Sequence, residues 1–300
     1  MYKFINICGL GFVGGSVSYV CNQNNIKYSV YDVIDKQDDN AVGIFKNISE
    51  FVKHSEMSNE NNFYIISVPT PSGKNGECNT SIVETVVEQI FNEYTKNTFI
   101  LIKSTVEPGT CRKLYNKYNE LKNNELKNNS FNFKILFVPE FLTERRANLD
   151  MYEANFAMFG TYDGKEEQEV IRLFKEIYKH NKNIKMISKK YEACELFKYT
   201  INVFLGVKVW FFNEIYELCE KFDIEYNDLR SLLPLDERIG MSHTMVPGPD
   251  GKFGYGLGCL PKEILGCKYL QNKLGIPNKV LEEIHERNNA LRGKPVPKND

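Results

Sequence analysis

The sequence predicts an α/β protein: a Rossmann-like, doubly wound parallel sheet followed by a helical domain built on one long central helix. Three observations carry this. Short apolar runs alternate with polar, helix-compatible segments over the first two-thirds of the chain, the pattern of strands joined by crossover helices. A glycine loop, Gly9-Leu-Gly11-Phe-Val-Gly14, lies between a strand pattern and a helix pattern. From Lys189 to Phe222 the only Gly or Pro is Gly206, so one uninterrupted helix is expected there.

Lys3–Cys8 reads as the first strand, and Gly14–Cys21 as the helix that follows the glycines. Lys27–Tyr31 is a second strand, ending at Asp32. Apolar runs recur at Phe63–Val68, Phe99–Ile102 and Ile135–Val138, with helices expected at Ser81–Tyr94 and Cys111–Leu121 between them. Within Glu120–Asn129 the pentapeptide ELKNN occurs twice, and its polar, repetitive character predicts a solvated helix end or loop. A strand at Phe156–Gly160, a helix at Glu166–Tyr178 and a short strand at Ile184–Ile187 complete a first domain, residues 1–187. The second, residues 188–300, opens with the long helix, whose stretch Ile201–Phe212 is apolar on most faces and is therefore expected to be buried, under its own domain or against a second copy. Further helices are expected near Asn227–Leu233 and Pro277–Leu291, before a Pro/Lys-rich tail.

Composition narrows the function. At 300 residues, 42% hydrophobic and 26% charged, the chain can form two cores. A net charge of -1 without a basic block disfavours nucleic acid and anionic membranes as partners. Eight scattered cysteines form neither a CxxC pair nor a Cys/His cluster, so no metal site is expected and a reducing, cytoplasmic compartment fits. The chain enters a strand directly after Met-Tyr-Lys and has no apolar run long enough to span a bilayer, so a soluble protein is expected.

The glycine loop points to a dinucleotide. Gly9, Gly11 and Gly14 let the backbone approach a pyrophosphate at the N-terminus of the following helix, where Phe12, Val13 and their neighbours present free N–H groups. Asp32 would accept hydrogen bonds from ribose hydroxyls and repel a 2′-phosphate, favouring NAD over NADP; Lys36 partly offsets that charge in the same candidate pocket. Other strand ends carry polar strings: Val68-Pro69-Thr70, Lys103-Ser104-Thr105, and Pro139-Glu140-Phe141-Leu142 leading to Glu144. In doubly wound sheets ligands bind at such carboxyl ends, so these strings define one expected crevice.

Cys259, within Phe253-Gly254-Tyr-Gly256-Leu-Gly-Cys259-Leu-Pro261, is the candidate nucleophile. Pro261 suits a first helical turn, which puts the thiol just before a helix N-terminus where the dipole favours thiolate, among glycines that let a substrate come close. Lys198 and Asn202 share a face of the long helix, and the lysine, embedded in apolar sequence, is a candidate for holding a developing oxyanion.

Taken together, GLGFVG, VPTP, KSTV, PEFLTE, the Lys198–Asn202 pair, DERIG and FGYGLGCLPKE resemble, in order and over nearly the whole chain, the UDP-glucose/GDP-mannose dehydrogenase family. The resemblance implies an NAD-dependent double oxidation of a nucleotide sugar's C6 alcohol to a carboxylate, with UDP-glucose as the expected substrate. It implies that Cys259 attacks the intermediate aldehyde, that Lys198 and Asn202 stabilise oxyanions, and that Glu140 activates the hydrolytic water. By the same resemblance Thr105 and Glu144 position water and nicotinamide, and Arg238, with Phe141, Leu142, Phe253, Gly254 and Gly256, meets the substrate, Arg238 from a second subunit of a homodimer. The sequence departs from the pattern in three places: Glu263 stands where the family has Asp, Leu257-Gly258 alters the loop before the thiol, and Asn79 replaces an Asp. Family members also carry a second Rossmann-like domain supplying much of the uridine-diphosphate site; this sequence stops about where that would begin, and His243–Gly251 is the segment expected to cover the substrate instead. Two other readings stay open: a single-step hydroxyacid dehydrogenase relative that needs no thiol, and a non-catalytic NAD-binding dimer.

Overall fold

The computed structural model describes residues 4–56, 61–123, 131–256 and 258–294. They form two compact units, 1–71 with 79–198, and 72–78 with 199–300.

The first unit is a three-layer α/β/α sandwich. Its elements run β1 (Phe4–Cys8), α1 (Phe12–Gln23), β2 (Lys27–Tyr31), β3 (Gly43–Phe45), α2 (Ile48–Glu56), β4 (Asn61–Ile66), α3 (Ser81–Glu93), β5 (Asn97–Ile102), α4 (Thr110–Asn123), β6 (Phe133–Phe137), α5 (Ala147–Tyr152), β7 (Phe156–Thr161), α6 (Gln168–Ile177) and β8 (Lys185–Lys190). One eight-stranded sheet has the order β3-β2-β1-β4-β5-β6-β7-β8. The central strands read as continuous apolar runs because both faces are covered, and successive residues alternate between two cores. Phe63, Ile65, Phe99, Leu101, Leu136 and Val138 face α1, α5 and α6. Tyr64, Ile66, Ile100, Ile102, Ile135 and Phe137 face α2, α3 and α4.

The sheet is not uniformly parallel, as the alternating pattern had predicted: β6 pairs antiparallel with β7, through Phe137 opposite Gly160. Between those strands the chain forms only a 3-10 turn (Glu144–Arg146) and the six-residue α5, and α5 lies against α1. Without a full crossover helix, β7 enters from the opposite end. The sequence reading also passed over β3, a three-residue edge strand, and α2, whose buried Ile48, Phe51, Val52 and Ser55 have the spacing of one helix face.

α7 (Tyr191–Lys221) is a single helix of 31 residues. The expected domain boundary at 187/188 falls inside β8, and the first turns of α7 still belong to the sheet's core: Tyr191 donates its hydroxyl to the Ile135 carbonyl, and Tyr191 and Cys194 pack on Gly160. The units part later, at 198/199. Buried Glu195 caps α4, accepting the N–H groups of Gly109 (2.6 Å) and Cys111 (2.9 Å). Burial raises its carboxyl pKa, and those two N–H donors oppose the rise.

In the second unit the remainder of α7 packs with α8 (Tyr226–Leu232), a 3-10 turn (Leu233–Leu235), α9 (Cys259–Lys273) and α10 (Lys279–Arg292). Gly206 of α7 admits Ile264 of α9; a Cβ there would lie 2.5 Å from the Ile264 Cδ1. Of the two ways in which α7 was expected to be buried, its own unit supplies only part. Phe212 and Cys219 are core, while Phe204, Phe211 and Leu218 are exposed at 62, 48 and 52%. The tandem ELKNN repeat falls largely outside the described residues, as do the last six positions of the tail. Among the described residues no helix is long and apolar enough to cross a membrane.

The Glu195 cap is testable. Glu195→Ala leaves the buried Cys111 N–H and the partly buried Gly109 N–H without their acceptor, and should lower unfolding free energy by about 2 kcal/mol in urea titrations; an unchanged midpoint would contradict it.

Candidate functional site

The parallel strands β1, β4, β5 and β6 deliver their C-terminal ends to one edge of the first unit's sheet, and the predicted residues of that unit gather there. After β1, Gly9 adopts φ +90°, a conformation that favours glycine, and its carbonyl accepts the Ser67 hydroxyl at 2.8 Å. Gly14 is packed so closely that a Cβ would lie 1.9 Å from the Gly9 carbonyl oxygen, whereas a Cβ on Gly11 would meet nothing within 4 Å. The two glycines thus seat α1 against the loop, and the third leaves the approach to its N-terminus open. No side chain caps that terminus, and exposed Phe12 and half-buried Val13 form its first turn. These residues fit a pyrophosphate.

Asp32, buried at the end of β2, accepts the N–H of Leu10 (2.7 Å) with one carboxylate oxygen and that of Ile34 (2.9 Å) with the other. It therefore ties the glycine loop to the second strand, and each oxygen keeps lone-pair capacity for a ribose hydroxyl. Lys36 is half-buried four residues on.

The next two strand ends are laced together. The Thr70 hydroxyl donates to the Thr105 carbonyl (2.8 Å) and that of Ser104 to the Val68 carbonyl (2.7 Å). Val68 is buried, whereas Pro69 is exposed on the rim.

At the end of β6 lies the charged centre of the site. Lys198, on α7, donates to the Glu140 carboxylate at 2.9 Å and to the Glu140 backbone carbonyl at 2.7 Å. The second carboxylate oxygen accepts the Leu142 N–H at 2.6 Å. Both side chains are nearly dry, at 4 and 7% exposure. Burial works against the charged form of Glu140, but Lys198, the Leu142 N–H and Lys103 outweigh it, so its carboxyl lies below the usual carboxylate range. It is ionised at neutral pH.

Lys103 is the residue that sequence reasoning missed, having been read only as part of a strand-end string. It is buried, and its ammonium donates to the Val138 (3.3 Å) and Pro139 (3.5 Å) carbonyls. Burial lowers its pKa to about 8, against the attraction of Glu140. A lysine directly following six strand residues that end in the buried run Thr98–Ile102 was the available signal. Beside this centre opens a cleft of about 380 Å³ lined by Lys103, Glu140, Asp150, Asn155, Phe156 and Tyr178 among others. Phe141 and Leu142, also on its wall, are half-buried. Glu144 begins the 3-10 turn that follows, and its side chain lies outside the described ones.

The remaining predicted residues belong to the second unit. Asn202 is buried one helical turn beyond Lys198. Cys259 is exposed and is the first residue of α9, with Gly258 at the N-cap rather than the thiol lying ahead of the helix. Glu263, one turn on, is 1% exposed, with its carboxylate 3.1 Å from the Lys262 ammonium. Arg238 is exposed and paired with Asp236 at 2.6 Å. Phe253 is core, and Gly254 and Gly256 face α10: a Cβ on Gly254 would lie 2.4 Å from the Asn288 Oδ1, and one on Gly256 would lie 2.4 Å from the Arg292 guanidinium. These glycines admit α10 side chains, a role the sequence did not reveal. Leu257 lies outside the described residues.

Comparison with known proteins agrees with this geometry. Residues 44–181 match the UDP-glucose/GDP-mannose dehydrogenase family, NAD binding domain, and residues 192–290 match the central domain of the same family. A curated relative, UDP-glucose 6-dehydrogenase of Rickettsia conorii, is 31% identical over 247 residues, covering 82% of this chain and 53% of its own. GDP-mannose 6-dehydrogenase of Pseudomonas putida is 27% identical, covering 81% and 52%. Among solved structures, a UDP-glucose dehydrogenase from Pyrobaculum islandicum superposes with a TM-score of 0.75 at 21% identity, over 96% of this chain and 68% of that one, which supports the fold. The chain spans about half the length of the curated relatives it matches.

Burial of Lys103 sets a pH dependence. Its folded pKa of about 8 lies below the ordinary 10.5, so the unfolded chain binds the extra proton between those values and stability rises with pH across that window. The shift corresponds to about 3 kcal/mol. Urea unfolding across the window should show wild type gaining stability relative to Lys103→Met as pH rises; a constant difference would contradict this assignment. The chain belongs to the UDP-glucose/GDP-mannose dehydrogenase family.

Proposed function

We propose that this chain is an NAD-dependent nucleotide-sugar 6-dehydrogenase that oxidises UDP-glucose to UDP-glucuronate in two steps through a thiol-linked intermediate. The observation that carries the thiol-dependent reading is the state of Cys259: of the eight cysteines, five are buried, Cys78 and Cys267 are half-buried, and Cys259 is exposed at the first turn of a helix. A helix N-terminus favours the thiolate, and the thiolate is the nucleophile.

When bound, the cofactor supplies the hydride acceptor for both oxidations; the glycine loop, α1 and Asp32 are the residues that would hold it, with Lys36, Val68, Pro69, Thr70, Ser104 and Thr105 along the rim. After the C6 alcohol has become an aldehyde, the Cys259 sulfur adds to the carbonyl carbon, and a proton on the resulting oxygen gives a thiohemiacetal. Loss of a second hydride and that proton leaves a thioester. Glu140 takes a proton from water, the hydroxide adds to the thioester carbon, and the carbon–sulfur bond breaks to give carboxylate and free thiolate. Lys198 and Asn202 stabilise the oxyanions on this path, and Lys198 also holds Glu140 in place. Glu263 is assigned to the polar surroundings of the thiol, Glu144 and Thr105 to positioning water and nicotinamide, and Phe141, Leu142, Arg238, Phe253, Gly254 and Gly256 to the substrate side. A cleft of about 380 Å³ is within the usual range for a small-molecule site.

The test is a count of NADH formed per sugar consumed. With UDP-glucose, two NADH per uronate are expected, and Cys259→Ser should lower uronate formation by at least about a thousandfold. One NADH per sugar, unaffected by the substitution, would point to a single-step hydroxyacid-type reaction; NAD binding without turnover on UDP-glucose, GDP-mannose or UDP-N-acetyl sugars would point to a binding role.

We further propose a cytoplasmic homodimer built on α7. Phe204, Phe211 and Leu218 recur every seven residues as an exposed apolar stripe, the spacing of a helix–helix seam. Sedimentation at micromolar concentration should give a dimer for wild type and a monomer for a Phe204→Asp/Phe211→Asp variant; a monomeric wild type would overturn the assembly.

A further inference from the structure

The loop that leads into Cys259 is held from behind by side chains for which the catalytic scheme has no role. Asn288 of α10 is 2% exposed and makes two hydrogen bonds to one residue: its Oδ1 accepts the Tyr255 N–H at 2.7 Å and its Nδ2 donates to the Tyr255 carbonyl at 3.0 Å. A side-chain amide thus pairs with Tyr255 as a neighbouring strand would. One residue earlier, Asn213 of α7, 1% exposed, accepts the Gly254 N–H at 2.9 Å and anchors its own amide on the Val209 carbonyl at 2.8 Å. Arg292, one turn after Asn288, lies against Gly256, pairs with Asp250 at 2.7 Å and reaches the Phe253 carbonyl at 3.5 Å.

The glycines are cut to fit two of these side chains, Asn288 and Arg292. Gly254 has φ +70° and faces the Asn288 oxygen, and Gly256 faces the guanidinium, each closer than a Cβ allows. Tyr255, 2% exposed, is the residue gripped between them, four positions before Cys259. Buried amides with both ends satisfied specify one backbone path, because any shift orphans a donor or an acceptor.

We propose that Asn288, with Arg292, is a positioning residue for Cys259: α10 fixes the Phe253–Gly256 path and with it the thiol at the start of α9. This inference rests on the reading of Cys259 as the nucleophile.

The experiment compares Asn288→Ala and Arg292→Met with wild type and with Val170→Ala, a core substitution in the first unit that lowers stability without touching the loop. Three quantities are read on the full chain: kcat and KM per folded molecule with UDP-glucose and NAD, the rate of Cys259 alkylation by iodoacetamide from the mass of its peptide, and the thermal midpoint. A positioning role predicts that both loop variants lose at least about tenfold in kcat while KM for NAD stays within about twofold. It also predicts an alkylation rate at Cys259 changed by at least about threefold, with Val170→Ala matching wild type in both readouts once corrected for folded fraction. Wild-type kcat and alkylation in the folded variants would overturn the proposal. If Asn288→Ala does not fold, Arg292→Met, whose side chain is partly exposed, decides alone. If wild type turns over no nucleotide sugar, the proposed activity fails, and the alkylation rates still decide the clamp: a changed rate upholds it and an unchanged one overturns it.

Discussion

A single buried ion pair, Glu140 with Lys198, organises the first unit's functional edge. Two charges at 4 and 7% exposure cannot stand alone, since removing one partner of such a pair costs about 3–5 kcal/mol. The pair is made tolerable by further bonds: the Lys198 ammonium also meets the Glu140 carbonyl, and the Leu142 N–H fills the other carboxylate oxygen. These bonds fix the loop after β6 and set the register of the start of α7 against the sheet. Lys103 stands beside them as a second buried cation, so the cluster carries two potential positive charges around one negative. The arrangement keeps a carboxylate ionised in a dry place.

The rest of the edge follows from strand direction. Because β1, β4, β5 and β6 are parallel, the residues that end them share one rim, and side-chain hydroxyls tie adjacent ends together. The antiparallel step at β7 comes after that rim is complete, and brings the N-terminal end of β7, at Asn155 and Phe156, to the wall of the cleft beside Glu140. A purely parallel continuation would have placed a strand's carboxyl end there instead.

Most of this edge was legible in the sequence because it is written in local signals. A strand, glycines, a helix and an acid in register announce a dinucleotide loop, and polar strings after apolar runs announce strand ends. What escaped was long-range. Lys103 looks like an ordinary post-strand lysine until the fold surrounds it. What Gly254 and Gly256 make room for also escaped, because a glycine's freedom is visible in sequence, whereas the Asn288 and Arg292 side chains against them come from more than thirty residues away. The same holds for α7: its apolar composition does not show which face its own unit covers, and only packing separates core Phe212 from exposed Phe204, Phe211 and Leu218. β3 and α5 are too short to carry a clear period.

In the proposed reaction Cys259 carries the substrate through a thioester that Glu140 helps water to cleave. The most direct measurement is the mass of the Cys259 peptide after Glu140→Gln protein is mixed with UDP-glucose and NAD and quenched. The glutamine keeps the shape and the acceptor toward Lys198 but cannot take water's proton, so an adduct of the oxidised nucleotide sugar on Cys259 should accumulate. An unmodified thiol in a variant that still reduces NAD would contradict the claim.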